Sequence, residues 1–203
     1  MENKKLNAAG APLKIGVLAL QGAFIEHCNM LRKLDVEPIE IRRRVDFSDN
    51  LDGLIIPGGE STVMAKLLYE LELLNPIKDA IANGLPTFGT CAGLILLSRQ
   101  IEGAGEGAFP VLDVVTRRNA YGRQLGSFKT TSQFHGIGEI EMVFIRAPYV
   151  SEVYGQARVL AVVNEKVVAV EQGKVIAVAF HPELTEDTRL HEYFVKMIVN
   201  CQL

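Results

Sequence analysis

Three short segments carry residue types able to do chemistry: Gly89-Thr90-Cys91-Ala92-Gly93, Phe180-His181-Pro182-Glu183 and Gly58-Gly59-Glu60-Ser61-Thr62. The first sits between apolar runs at 85–88 and 94–97. A nucleophile on a sharp strand-to-helix turn projects above its sheet, and glycines two residues to either side let strand and helix pass without Cβ clashes. Cysteine is an intrinsically strong nucleophile for such an elbow, and the positive end of the following helix favours its thiolate. Alone, the elbow indicates covalent acyl transfer; a small buried cysteine in a tight turn is the competing reading.

The second segment supplies a base. The strand-like run Val175-Ile176-Ala177-Val178-Ala179-Phe180 ends at His181, and open α/β sheets keep their reactive groups at the carboxyl ends of strands. Pro182 stiffens the exit, and Glu183 is near enough in sequence to accept a hydrogen bond from the imidazole. Cys91, His181 and Glu183 then fill the roles of nucleophile, base and orienter. In the third segment, paired glycines after Leu54-Ile55-Ile56 let the backbone approach a ligand and offer the Gly59 N–H to an oxyanion. The N–H of Ala92, the residue after the nucleophile, is the second donor expected there. The same glycine segment also reads as a turn in which Ser61 or Thr62 caps a helix.

With these segments in view, the chain resembles the class I (triad) glutamine amidotransferases. Arg118-Asn119-Ala120-Tyr121-Gly122-Arg123-Gln124, Phe144-Ile145-Arg146-Ala147-Pro148 and Phe180-His181-Pro182-Glu183-Leu184 make it similar, more narrowly, to the glutaminase subunits of pyridoxal 5'-phosphate synthases. The similarity runs from about Lys14 to about Val199. It implies Cys91, His181 and Glu183 as the triad, and glutamine binding by Gly59, Glu60, Ser61, Arg118, Ile145 and Arg146. It also implies ammonia delivery, through an internal channel, to a separate synthase subunit that builds pyridoxal 5'-phosphate from ribose 5-phosphate and glyceraldehyde 3-phosphate in vitamin B6 biosynthesis. Such families commonly keep the glutaminase idle until the partner docks, and Gln21-Gly22 with the Gly58-Gly59 turn are the segments expected to change. Two arginines suit the α-carboxylate of free glutamine, since a guanidinium meets a carboxylate through two parallel hydrogen bonds. Charge alone does not separate Arg118 and Arg146 from their neighbours Arg117 and Arg123. Three other readings remain: an amidotransferase subunit of another pathway, a thiol hydrolase of γ-glutamyl peptides, and a non-catalytic module on the same fold.

The elements that must position these groups alternate. Buried-type strands are expected at 15–20, 38–41 and 53–56, with a helix from Gln21-Gly22 through Leu34 and helical pattern from 61 to 83, broken near Asn75-Pro76. Strands and helices alternating at this spacing imply βαβ units and a mostly parallel sheet. Beyond Arg99, strand-like segments at 111–116, 138–146, 159–164, 166–171 and 174–180 suggest an antiparallel extension, and a helix from about Thr188 closes the chain. The expected fold is α/β: a single-domain, mostly parallel central sheet flanked by helices, of flavodoxin-like amidotransferase type. Residues 14–203 form the amidotransferase domain, and residues 1–13 read as a flexible tail or an expression remnant.

Composition narrows the function classes. A net charge of −3 over 203 residues, with Arg42-Arg43-Arg44 the only basic run, argues against nucleic-acid binding. No stretch approaches the ~20 apolar residues of a membrane span, and the first twelve residues hold no secretory apolar region. Three cysteines and no leader predict a reducing, cytoplasmic setting. Cys28 and Cys201 read as packing or surface thiols, and no Cys/His spacing suits a metal; no cofactor is expected. His27 and His191 fall on helical patterns as satisfied or exposed histidines, and His135 in a polar loop at 132–136.

Overall fold

A computed structural model describes residues 5–7, 10–118 and 126–201. Of the segment beginning at Arg118, residues Asn119, Ala120, Tyr121, Gly122, Arg123 and Gln124 lie outside the described residues. The first half runs β1 (Ile15–Leu18), α1 (Phe24–Lys33), β2 (Pro38–Ile41), β3 (Gly53–Ile56), α2 (Ser61–Glu70), α3 (Leu74–Ala82), β4 (Thr87–Thr90) and α4 (Ala92–Leu97). The second half runs β5 (Ser98–Ile101), β6 (Leu112–Arg117), β7 (Ser127–Phe134), β8 (Gly138–Ile145), β9 (Tyr149–Val153), β10 (Arg158–Val163), β11 (Lys166–Gln172), β12 (Val175–Val178) and α5 (Arg189–Asn200).

Among the described residues, ten strands form one sheet in the order β2-β1-β3-β4-β12-β11-β9-β6-β5, with β10 added alongside β11. The five strands from β2 to β12 are parallel. Four of them, β1, β3, β4 and β12, are buried at every residue, as expected for a sheet covered on both faces. The strand order reverses at β1, which has β2 on one side and β3 on the other. Open α/β sheets place their ligand crevices beyond the carboxyl ends of strands near such a reversal. Register then fixes the chemistry: Val178 of β12 pairs with Thr90 of β4, so both chains leave the sheet side by side.

The antiparallel extension comprises β11, β10, β9 and β6, while β7 and β8 form a separate two-stranded sheet. Here the sequence reading missed three strands: β5, β7 and β9. Along β7, Ser127-Phe128-Lys129-Thr130-Thr131-Ser132-Gln133-Phe134 is polar at most positions, because one face of the hairpin meets solvent and little core signal remains. The expected polar loop at 132–136 is instead the end of β7 and its turn.

Other boundaries move for local reasons. The break between α2 and α3 falls at 71–73, earlier than Asn75-Pro76. Pro76 sits in the first turn of α3, where a missing N–H costs nothing. The helix expected from Gln21-Gly22 starts at Phe24, because Gly22 has φ +86°, outside the right-handed helix. Near the start of the described chain, Leu6 bridges Pro12, and Leu13 joins the hydrophobic core. Among the described residues, no helix is long and apolar enough to cross a membrane.

Behind β4, Phe88 anchors the core. Its ring is edge-on to His27 and His191 and tilted against Phe194, which brings α1 and α5 together under the sheet.

Candidate active site

The elbow is built by a strained residue between two compressed glycines. Cys91 has φ 47° and ψ −95°, an uncommon conformation for a residue with a side chain. It persists because the Cys91 N–H donates to the Val178 carbonyl at 2.8 Å, tying the turn to β12. A Cβ at Gly89 would lie 2.8 Å from the Gly93 backbone, and one at Gly93 would strike the Ile56 carbonyl oxygen. These are the close passes that the glycine spacing predicts. Ala92, fully buried, opens α4.

His181 leaves the sheet beside this turn. Its N–H donates to the Val143 carbonyl at 2.8 Å, which fixes the backbone against β8. Pro182, Glu183 and Leu184 then form a 3-10 turn that swings Glu183 back, so Glu183 Oε1 lies 2.7 Å from His181 Nδ1. That leaves Nε2 of the ring for Cys91. Both side chains are buried, His181 at 6 % exposure and Glu183 at 5 %. Burial works against the imidazolium of His181, but hydrogen bonds with Cys91 and Glu183 outweigh it and hold its pKa up to about 10. Burial raises the Glu183 carboxyl, against its hydrogen bond to His181.

Two histidines that sequence reasoning gave no role lie directly behind. His27 on α1 and His191 on α5 are fully buried. Nδ1 of His27 lies 2.9 Å from Nε2 of His191, and Nε2 of His27 lies 3.1 Å from Thr90 Oγ1 and 3.4 Å from Glu183 Oε2. Burial lowers both, His191 to about 3 and His27 well below its ordinary value. The available signal was position: His27 and Cys28 share a helix face with Met30 and Leu31, all buried.

Above Cys91 opens a cleft of about 800 Å³. Of the residues singled out for glutamine, it brings together Gly59, Glu60, Ser61, Arg118, Ile145 and Arg146, with Cys91 and His181 at its floor. Ala92 and Glu183 do not line it. Gln21, Ser127, Pro148 and Leu184 line it too; Pro148 and Leu184 end two of the segments that carry the resemblance, and Ser127 belongs to none. Gln21 Oε1 accepts the Glu60 N–H at 2.8 Å, and the Ala23 N–H donates to the Gly58 carbonyl at 3.2 Å, so the loop after β1 clamps the loop after β3. Gly22 permits this approach, since a Cβ there would fall on the Gly58 carbonyl.

Neither Ser61 nor Thr62 caps α2. The N-cap is Glu60, without a side-chain cap hydrogen bond. The arginines separate by environment. Nε of Arg118 is buried and without a partner among the described residues. Arg146 sits at φ 44°, with its N–H donating to the Gly126 carbonyl at 2.6 Å. Arg117 points elsewhere, donating to Tyr149 Oη at 3.3 Å and pairing with Glu102. Of the remaining thiols, Cys201 is exposed, and burial pushes buried Cys28 up to about 11.

An elbow cysteine, a histidine at the end of the neighbouring parallel strand and a carboxylate behind it define an α/β domain of glutamine amidotransferase type. The chain belongs to the SNO glutamine amidotransferase family, whose family model matches residues 17–200. It is similar to the pyridoxal 5'-phosphate synthase subunit PdxT of Haemophilus influenzae strain PittEE, at 52% identity over 90% of this chain and 97% of the relative. The PdxT subunit of Streptococcus pneumoniae serotype 2 is also 52% identical, over 91% of this chain and 97% of its own. A crystal structure of a glutamine amidotransferase superposes with TM-score 0.86 at 44% identity, covering 91% of this chain and 98% of that one. A glutamine amidotransferase from Thermotoga maritima, 12% identical, superposes with TM-score 0.61 over 94% of this chain and 86% of that one and shares the fold.

Proposed function

We propose that this chain hydrolyses L-glutamine to L-glutamate and ammonia, as the glutaminase subunit of a pyridoxal 5'-phosphate synthase. The observation that carries the mechanism is the 2.7 Å pair of His181 and Glu183 beside a strained elbow cysteine on the floor of the cleft. Cys91 Sγ attacks the side-chain amide carbon, and the N–H groups of Gly59 and Ala92 hold the developing oxyanion. A raised pKa keeps His181 protonated at neutral pH, so its Nε2–H is ready to protonate the departing nitrogen as ammonia. The neutral imidazole then takes a proton from water as that water attacks the γ-glutamyl thioester, which frees glutamate and the Cys91 thiolate and leaves His181 protonated as at the start. Glu183 keeps Nδ1 protonated and the ring oriented throughout.

Arg118 and Arg146 pair with the α-carboxylate, while Glu60, Ser61 and Ile145 complete the amino-acid site. The relatives' description as a synthase subunit supports a partner that consumes the ammonia. The clamp between Gln21 and Glu60 supports the Gln21-Gly22 and Gly58-Gly59 loops as the part that partner docking rearranges. A catalytic thiol that must stay reduced agrees with a cytoplasmic setting.

The test is ammonia release from glutamine by the purified chain, alone and with the candidate synthase subunit. Release that appears or rises sharply with the partner is expected. Equal rates in both mixtures would remove the gating, and no release in either would remove the glutaminase.

A further inference from the structure

Glu183 Oε1 is committed to His181, and its second oxygen is buried with no hydrogen bond among the described residues. The polar atom that approaches Oε2 is Nε2 of His27, at 3.4 Å. Whether this nitrogen carries a proton follows from its neighbours. One N–H must lie between His27 Nδ1 and His191 Nε2, which are 2.9 Å apart. Nδ1 of His191 has no partner among the described residues, and a buried N–H without an acceptor is rarer than a buried lone pair without a donor. His191 therefore carries its proton on Nε2 and donates to His27 Nδ1. A neutral His27 then carries its own proton on Nε2, facing Thr90 Oγ1 at 3.1 Å and Glu183 Oε2. Burial keeps both rings neutral, so the direction of this chain holds at neutral pH.

We propose that His27 is a positioning residue for the triad: its Nε2–H holds the free oxygen of Glu183, and His191 fixes the tautomer that allows it. A Glu carboxylate held at one oxygen can still turn about its terminal torsion, which is broad. With Oε2 also facing the His27 N–H dipole at 3.4 Å, its plane is set, and with it the direction in which His181 presents Nε2 to Cys91. The sequence of contacts runs from α5 through α1 to the 3-10 turn, so two helices behind the sheet take part in aiming the imidazole. The proposal deepens the glutaminase reading by using its triad, but the test below separates the two.

Two amide replacements distinguish aiming from mere packing. In His27→Gln the amide reaches the Nε2 position and can donate to Glu183; in His27→Asn it reaches only the Nδ1 position and keeps the His191 contact. Melting temperature and peptide-resolved alkylation of Cys91 by iodoacetamide are measured for both, and for His27→Leu. Glutamine turnover is followed in the complex with the synthase subunit. The expected result is a Cys91 alkylation rate and kcat lower by roughly ten- to a hundredfold in the Asn and Leu variants. KM is unchanged, and the Gln variant is largely restored. Wild-type alkylation rates in folded Asn and Leu variants overturn the proposal. So do losses in all three that follow melting temperature, with no rescue by Gln. Absence of glutamine turnover by the wild-type complex would sink the glutaminase reading, while the alkylation rates still decide the role of His27.

Discussion

The parallel part of the main sheet and the separate β7–β8 hairpin contribute to the same cleft in opposite ways. Cys91 and His181 leave strands β4 and β12, buried at every residue, and their backbones are tied to Val178 and Val143. Ile145 and Arg146 stand at the exposed end of the β7–β8 hairpin, whose β7 face alternates toward solvent. Bond-making groups need sub-ångström placement and so sit where packing leaves little freedom. Groups that recognise substrate tolerate an edge, where solvent and a partner can reach them. The difference predicts that damage to the first region is lost in kcat, and damage to the second in KM.

The largest effect tests the rigid half. Cys91→Ala should abolish glutamine turnover, a loss on the order of 10⁴-fold or more, as removal of a covalent nucleophile typically gives. Glutamine affinity by calorimetry should stay near wild type; residual turnover would remove Cys91 from the chemistry. Next comes the clamp that joins the two loops. Gly22→Ala forces a side chain into φ +86° and onto the Gly58 carbonyl, so it should cost at least about 2 kcal/mol of stability and most of the activity. A thermal melt unchanged from wild type would contradict the clamp.

A smaller effect sharpens the recognition half. Arg146→Ala and Arg118→Ala should each raise KM for glutamine about ten- to a hundredfold with little change in kcat, the size expected for a lost charged hydrogen bond. Arg117→Ala, whose guanidinium faces Tyr149 and Glu102, should change neither constant. If Arg117→Ala matched Arg146→Ala, the separation of the arginines by environment would be wrong.

The mildest test is pH. His191, lowered to about 3 by burial, binds its proton only in the unfolded chain between about pH 6.5 and 3, so stability should fall on acidification through that window. His27 adds in the same direction. His181 acts oppositely: raised to about 10, its contribution is complete below pH 6.5 and is lost as pH climbs through 10. Melting temperature should therefore peak near neutrality. A His191→Asn variant should flatten the acid side; an unaltered acid limb would contradict the assignment of that limb to the buried ring.

What was legible in the sequence follows the same division. The strands β1 and β3 and the elbow announce themselves because burial on both faces leaves continuous apolar runs and close approach demands glycine at fixed offsets. Strand β7 did not, because a hairpin with a wet face is polar from Lys129 to Gln133 and leaves only Phe128 and Phe134 as apolar signal. That Cys91, His181 and Glu183 would stand close together was legible because Cys91 and His181 each stand at the end of an apolar run, with Glu183 two residues on. The link from His27 to Glu183 was not, since it joins residues 156 positions apart on a helix and a turn whose proximity only the fold creates. Nor could charge tell Arg118 from Arg117: Arg117 ends β6 opposite Tyr149, while Arg118 lies just beyond the strand and lines the cleft, a difference only the fold creates.

The central claim is that Cys91 carries the γ-glutamyl group. Acid quenching of the complex during turnover, followed by peptide mass spectrometry, reads this directly. A γ-glutamyl increment on the peptide holding Cys91, absent from those holding Cys28 and Cys201, is the predicted result. Sustained ammonia release with Cys91 unmodified at every quench time, and undiminished in Cys91→Ala, would contradict it.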